Sequence, residues 1–155
     1  MSYDLVVHLK RCNMPSPRDW QTAIVEAGFP VQLDAEFDVD AFSGFLPCPV
    51  AGEVAGFEYY ASGLSMEDAM DLELAQGTNF SVQFSCGSQP LELVAAISSA
   101  SVLAQLSGGR LDDPQLDESI SAREAIAWAK ARLARERGHA ADARSAADRP
   151  WWKFW

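Results

Sequence analysis

The stretch "NFSVQFSCGSQPLELVAAISSASVLAQLSGG", residues 79–109, decides the fold. In its first part Phe80, Val82 and Phe84 alternate with Ser81, Gln83 and Ser85. A period of two is that of a strand with one face buried and the other wet. From Pro90 the alternation stops. One charge, Glu92, interrupts a run of small and apolar residues that Gly108 and Gly109 bring to a halt. That run predicts a helix of about five turns, apolar on every side and therefore buried. A half-wet strand running into a buried helix implies a sheet with helices stacked on it.

Working upstream, "YDLVVHLK", residues 3–10, is short and β-branched and predicts a strand. In "SPRDWQTAIVEAGFP" Ser16 is a natural N-cap, Pro17 suits the first helical position, and Asp19 completes an S-x-x-D start. Trp20, Ala23, Ile24 and Ala27 form the inward stripe of that helix, which Gly28 and Pro30 close. "VQLDAEFDVDAF", residues 31–42, alternates again, with Val31, Leu33, Ala35, Phe37 and Val39 against Asp34, Glu36, Asp38 and Asp40. It predicts a strand with one face of carboxylates. Residues 43–52, rich in Pro and Gly, predict a loop, and 53–62 an aromatic strand. Ser65 and Asp68 start a short helix with Met66, Ala69, Met70 and Leu74 turned inward, ended by Gly77.

Downstream, "RLDDPQLDESIS", residues 110–121, predicts a short strand or extended loop turning at Asp113-Pro114. Ser121 and Glu124 then form a capping box. The helix after it has Ala122, Ala125, Ile126, Ala129 and Leu133 inward and ends at Gly138. The expected class is α+β: a mainly antiparallel sheet with helices on one face. It combines a ferredoxin-like βαββαβ core with two C-terminal helices. Residues 1–138 form the domain. Residues 139–155 are an Ala/Asp/Arg-rich linker and a tail ending in "WWKFW".

Charge is unevenly spread. No Lys or Arg occurs from Asp19 to Gly109, a span with 13 Asp and Glu. Residues 1–121 hold 18 acids and 4 bases, and 122–155 hold 4 acids and 8 bases. Such a body lacks the cations that phosphate contacts need, which argues against nucleic acid. A basic partner is the natural counterpart. The apolar runs fall short of the roughly 18 residues that span a bilayer. The first residues, with Asp4 inside their apolar segment, do not read as a secretory signal. A cytoplasmic setting is expected, in which Cys12, Cys48 and Cys86 stay reduced.

Catalytic and metal chemistry find little footing. Cys86 precedes a helix, where a thiol can be activated, and would need His8 or His139 beside it. Asp34, Glu36 and Asp38 resemble the first ligands of a calcium loop, but the loop's sixth and twelfth positions fall on Val39 and Phe45. Glu58 in "GFEYY" is the acid expected to be partly buried. No enzyme, cofactor or metal is expected. The acids Asp34, Glu36, Asp38, Asp40, Glu67, Asp68, Asp71 and Glu73 form a candidate partner-binding surface. Trp151, Trp152, Phe154 and Trp155 must bury somewhere, in this domain or in a second copy, and one five-residue patch is a weak membrane anchor.

The "GFEYY" after a Gly/Pro loop, the apolar helix running into "LAQLSGGRLDDPQ" and the capped closing helix resemble small bacterial immunity proteins. These are encoded beside the secreted toxins of type VI and Rhs-type systems. The resemblance covers residues 1–137. It implies an inhibitor that binds a cognate, cytosol-acting toxin and blocks its active site. Two alternatives stand beside it. One is an enzyme or small-ligand protein with a pocket near Glu58, Tyr59 and Cys86. The other is an adaptor that self-associates through its tail.

Overall fold

The computed structural model describes residues 2–143, with side chains as far as residue 136. The chain is α+β. Its elements run β1 (Tyr3–Leu9), α1 (Pro17–Glu26), β2 (Ser43–Pro47), β3 (Gly56–Gly63), α2 (Met66–Asp71), β4 (Phe80–Cys86), α3 (Pro90–Ser107), β5 (Arg110–Asp113), β6 (Glu118–Ser121) and α4 (Ala125–Ala143). A 3-10 turn at Arg11–Asn13 follows β1, and another at Ala122–Glu124 leads into α4.

Six strands form one sheet in the order β2-β3-β4-β1-β5-β6, every pair antiparallel. The element order of a ferredoxin-like core is present, but its wiring is not. A split βαβ needs parallel strands either side of an inserted one. Here the β1-α1-β2 crossover carries the chain to the far edge, and β3-α2-β4 joins adjacent antiparallel strands.

Register explains the core. Leu5, Val7 and Leu9 stand opposite Phe84, Val82 and Phe80, and Tyr59 and Ala61 continue the rows into β3. Leu111 and Ile120 extend them through β5 and β6. On this face α3 crosses β1, β3, β4 and β5 and is flanked by α1 and α4. Layers on both sides bury it nearly all round, including Ser98, Ser99, Ser101 and Ser107. Two of those hydroxyls turn back on their own helix, Ser101 to the Ser98 carbonyl and Ser107 to the Leu103 carbonyl. By length and composition Pro90–Ser107 could cross a membrane, with mean hydropathy 1.3. With 67% of it inside the fold, burial accounts for that composition.

Two segments depart from the sequence expectation. Residues 31–42 are not a strand, because their backbone groups find other partners. The Gln21 side chain takes the Leu33 N–H and donates to the Val31 carbonyl, and the Tyr59 hydroxyl donates to the Val39 carbonyl at 2.6 Å. The Asp34 carboxylate accepts from the Glu36 N–H, and Asp38 from those of Asp40 and Ala41. Side-chain-to-backbone bonds of this kind compete with a ladder, and here they win. Ser43–Pro47, expected as loop, is the edge strand. An edge tolerates Pro47 because the missing N–H faces no neighbour.

The helix ends also bear comparison. Ser16 and Ser65 cap α1 and α2 as expected, each accepting from the N–H three residues on at 3.1 Å. Gly108 closes α3 at φ 72, the left-handed conformation that suits glycine. α4 runs past Gly138 to Ala143. A helical glycine costs about 1 kcal/mol against alanine, which weakens a helix without ending it. Gly109 serves a different need. A Cβ there would stand 2.4 Å from the His8 carbonyl oxygen and 3.1 Å from Leu9 Cβ, in the middle of the sheet. Gly109→Ala should therefore lose about 1–3 kcal/mol by overpacking. Urea unfolding measures it, and an unchanged midpoint would contradict so close an approach.

Candidate functional site

Asp34, Glu36, Asp38, Glu67, Asp68, Asp71 and Glu73 are exposed, and Asp40 is half-buried. The acids of residues 34–40 project from a loop, not from a strand face. Among the described residues, one ion pair involves these eight acids, a 3.8 Å contact between Asp40 and Arg11. Arg11 also holds the end of the α2–β4 connection, since its backbone N–H donates to the Asn79 side chain there. The turn Arg11–Asn13 thus contacts the first acidic stretch at Asp40 and the start of β4 at Asn79.

Helix α2 meets expectation at Ala69 and departs from it at both methionines. Ala69 is its buried residue, while Met66 and Met70 are 79% and 71% exposed. With one turn and a half, α2 cannot bury a full stripe, and Ala69 alone fits against the sheet. Met66 and Met70, four apart, share a side. Glu67, Asp68, Asp71 and Glu73 of the same segment are exposed too, and Leu72 is 41% exposed. Glu73 holds a left-handed φ of 56, a strained conformation for glutamate.

The residues weighed for chemistry fare differently. Glu58 is exposed, contrary to the expectation of partial burial, because the strand turns it away from the helix layer. It shares a cleft of about 340 Å³ with Phe45, Ser85, Cys86 and Glu92. Tyr59 points to the opposite face, into the aromatic cluster with Trp20, Phe37, Phe42 and Phe84. Burial first, then the charges of Glu92 and Asp4, push the Cys86 thiol up to about 12, and burial does the same for Cys48. Such thiols are not nucleophiles at neutral pH. His139 and the tail aromatics Trp151, Trp152, Phe154 and Trp155 lie outside the residues with described side chains.

Sequence reading missed a constellation on the other face of the sheet. Register sets His8 between Ser81 of β4 and Arg110 of β5. His8 Nδ1 lies 2.7 Å from Ser81 Oγ, and Nε2 lies 3.2 Å from Asp112 Oδ2. Arg110 grips the same carboxylate with two hydrogen bonds of 2.8 Å and donates to the Leu72 carbonyl at 2.9 Å. Burial alone would raise the pKa of Asp112, but hydrogen bonds from His8, Arg110 and Ser119 and the Arg110 charge hold it at about 2. It is therefore an acceptor only, and Nε2–H of His8 is the donor in their contact.

His8 is 7% exposed and forms part of the wall of a cleft of about 580 Å³ that Lys10, Glu73, Arg110, Ser121 and Glu124 also line. The one signal in the sequence was parity. His8 falls on the wet side of its strand, yet pairing between strands so distant in the chain is not written in local pattern. No family model, no curated protein and no solved structure matches this chain.

Proposed function

We propose that the chain is an immunity protein of the kind found with type VI and Rhs-type toxins. In this reading it inhibits a cognate basic toxin in the cytosol by covering the toxin's active site with an acidic surface. The observation that carries the reading is the outward pair Met66 and Met70 on α2, in a segment that also exposes Glu67, Asp68, Asp71 and Glu73. Protein interfaces pair an apolar centre with a polar rim, and methionine adapts to the shape it meets. The exposed carboxylates of residues 34–38 extend the same sign of charge. Complementary charge speeds encounter, and an antidote benefits from speed.

The test begins by capturing the partner on the immobilised protein from a lysate of its native host, with a rising-salt wash, and assaying the captured protein's activity. The double variant Met66→Lys/Met70→Lys should then lose binding by about 100-fold or more, as truncated hot spots do. The quadruple variant Asp34→Asn/Glu36→Gln/Asp38→Asn/Asp40→Asn should slow association and flatten its salt dependence. Capture of nothing, a partner whose activity is untouched, or variants that bind at the parental rate would each overturn the proposal.

A further inference from the structure

We propose that Ser81 is a nucleophile, with His8 as its general base and Asp112 and Arg110 as positioning residues, acting on small polar carboxylic esters. The inference does not rest on the inhibitor reading and stands on the geometry of the sheet. A serine hydroxyl becomes nucleophilic when an adjacent base takes its proton and a third group orients that base. All three relations are present. The Ser81 hydroxyl oxygen lies 2.7 Å from His8 Nδ1, and the opposite ring nitrogen reaches Asp112 Oδ2 at 3.2 Å. The paired hydrogen bonds from Arg110 fix Asp112 in turn.

Burial is graded in the useful direction. His8 and Asp112 are shielded, while Ser81 is half-buried with the exposed Ser62 opposite it on β3. Asn79 precedes Ser81 by two residues. The Asn79 side-chain oxygen is occupied by the Arg11 N–H, which leaves its amide hydrogens to donate. The Ser62 hydroxyl and the Asn79 amide are therefore the side chains that register offers as oxyanion donors. The 580 Å³ cleft adjoins the site through His8 and Arg110 and not through Ser81, and its wall mixes Lys10 with Glu73 and Glu124. Polar esters fit that wall better than greasy ones.

The step balances without a co-reactant other than water. The Ser81 oxygen bonds to the carbonyl carbon while its proton passes to His8 Nδ1. The bond to the alcohol oxygen breaks, and the departing alkoxide takes that proton. Water then attacks the acyl-serine, leaves a proton on His8, and the acid departs as Ser81 recovers its hydrogen.

The probes are diisopropyl fluorophosphate and p-nitrophenyl acetate, applied to the full chain and followed by intact mass and peptide mapping. The expected result is a single adduct on Ser81, formed at least about 100-fold faster than on the urea-unfolded chain. Ser81→Ala should show none. His8→Gln and Asp112→Asn should slow labelling by about 100-fold or more, the usual worth of a general base. A protein that resists both probes, one labelled at another residue, or labelling undiminished in folded His8→Gln and Asp112→Asn would overturn the inference. If those two variants fail to fold, the parent against Ser81→Ala decides it, since that change removes one hydroxyl only.

Discussion

Trp20→Ala should remove about 3–5 kcal/mol of stability, the range for deleting a large buried aromatic. A domain has roughly 5–15 kcal/mol in all, so the variant is expected at the edge of unfolding at room temperature. Trp20 is fully buried and fastens three layers together. Its Nε1–H donates to the Ser99 carbonyl of α3 at 3.0 Å. Its ring meets Phe84 of β4 edge-on at 6.0 Å and Tyr59 of β3 at 6.3 Å. It also meets Phe37 of the acidic loop at 6.3 Å. Removing it empties the junction of helix, sheet and loop at once. Val25→Ala on the same helix, at a side chain 61% exposed, should stay within about 0.5 kcal/mol. Urea unfolding followed by circular dichroism gives both values. A loss under about 1 kcal/mol for Trp20→Ala would mean that the loop and α3 hold together without it.

That junction also marks how far local pattern reaches. Serine caps, the left-handed glycine after α3 and the alternation of β4 depend on residues a few positions apart, so the sequence displays them. Residues 31–42 display much of the expected burial on the wrong backbone, with Ala35 exposed and Asp40 half-buried against the alternation. Val31 and Leu33 are buried and Asp34 and Glu36 exposed, as an alternating strand would have them. Period two records which side chains are covered, however, and not what the N–H groups bind. Tyr59, Gln21 and the aspartates themselves take the place of a neighbouring strand, and a tyrosine 20 residues away from Val39 leaves no local trace.

The candidate site divides along the same line. Exposure of the acids was legible because like charges without bases have nowhere to go but solvent. The outward turn of Met66 and Met70 was not, since a helix of six residues buries whichever side its anchor dictates, and the anchor is Ala69. The His8–Ser81 contact joins residues 73 apart. Only the antiparallel pairing of β1 with β4 creates it.

Asp112 offers the second large effect, and its sign is set by the direction of its pKa. The folded protein holds that carboxyl at about 2, below the ordinary 3.8, because hydrogen bonds from His8, Arg110 and Ser119 outweigh the burial that opposes ionisation. A depressed carboxyl contributes stability that is complete above its unfolded value and disappears as pH falls through the folded one. A shift of this size corresponds to about 2 kcal/mol. Asp112→Asn should therefore cost about 2 kcal/mol at pH 7, and more if the Arg110 guanidinium and His8 find no other partner. Between pH 4 and pH 2 the gap between parent and variant should close, because the parent's own carboxyl becomes neutral there. Taking the difference of the two cancels the other carboxylates that titrate in the same range. Urea unfolding of both proteins at pH 7, 4 and 2 measures it. A gap that stays constant down to pH 2 would show that the shape of the side chain, and not its charge, is what His8 and Arg110 hold.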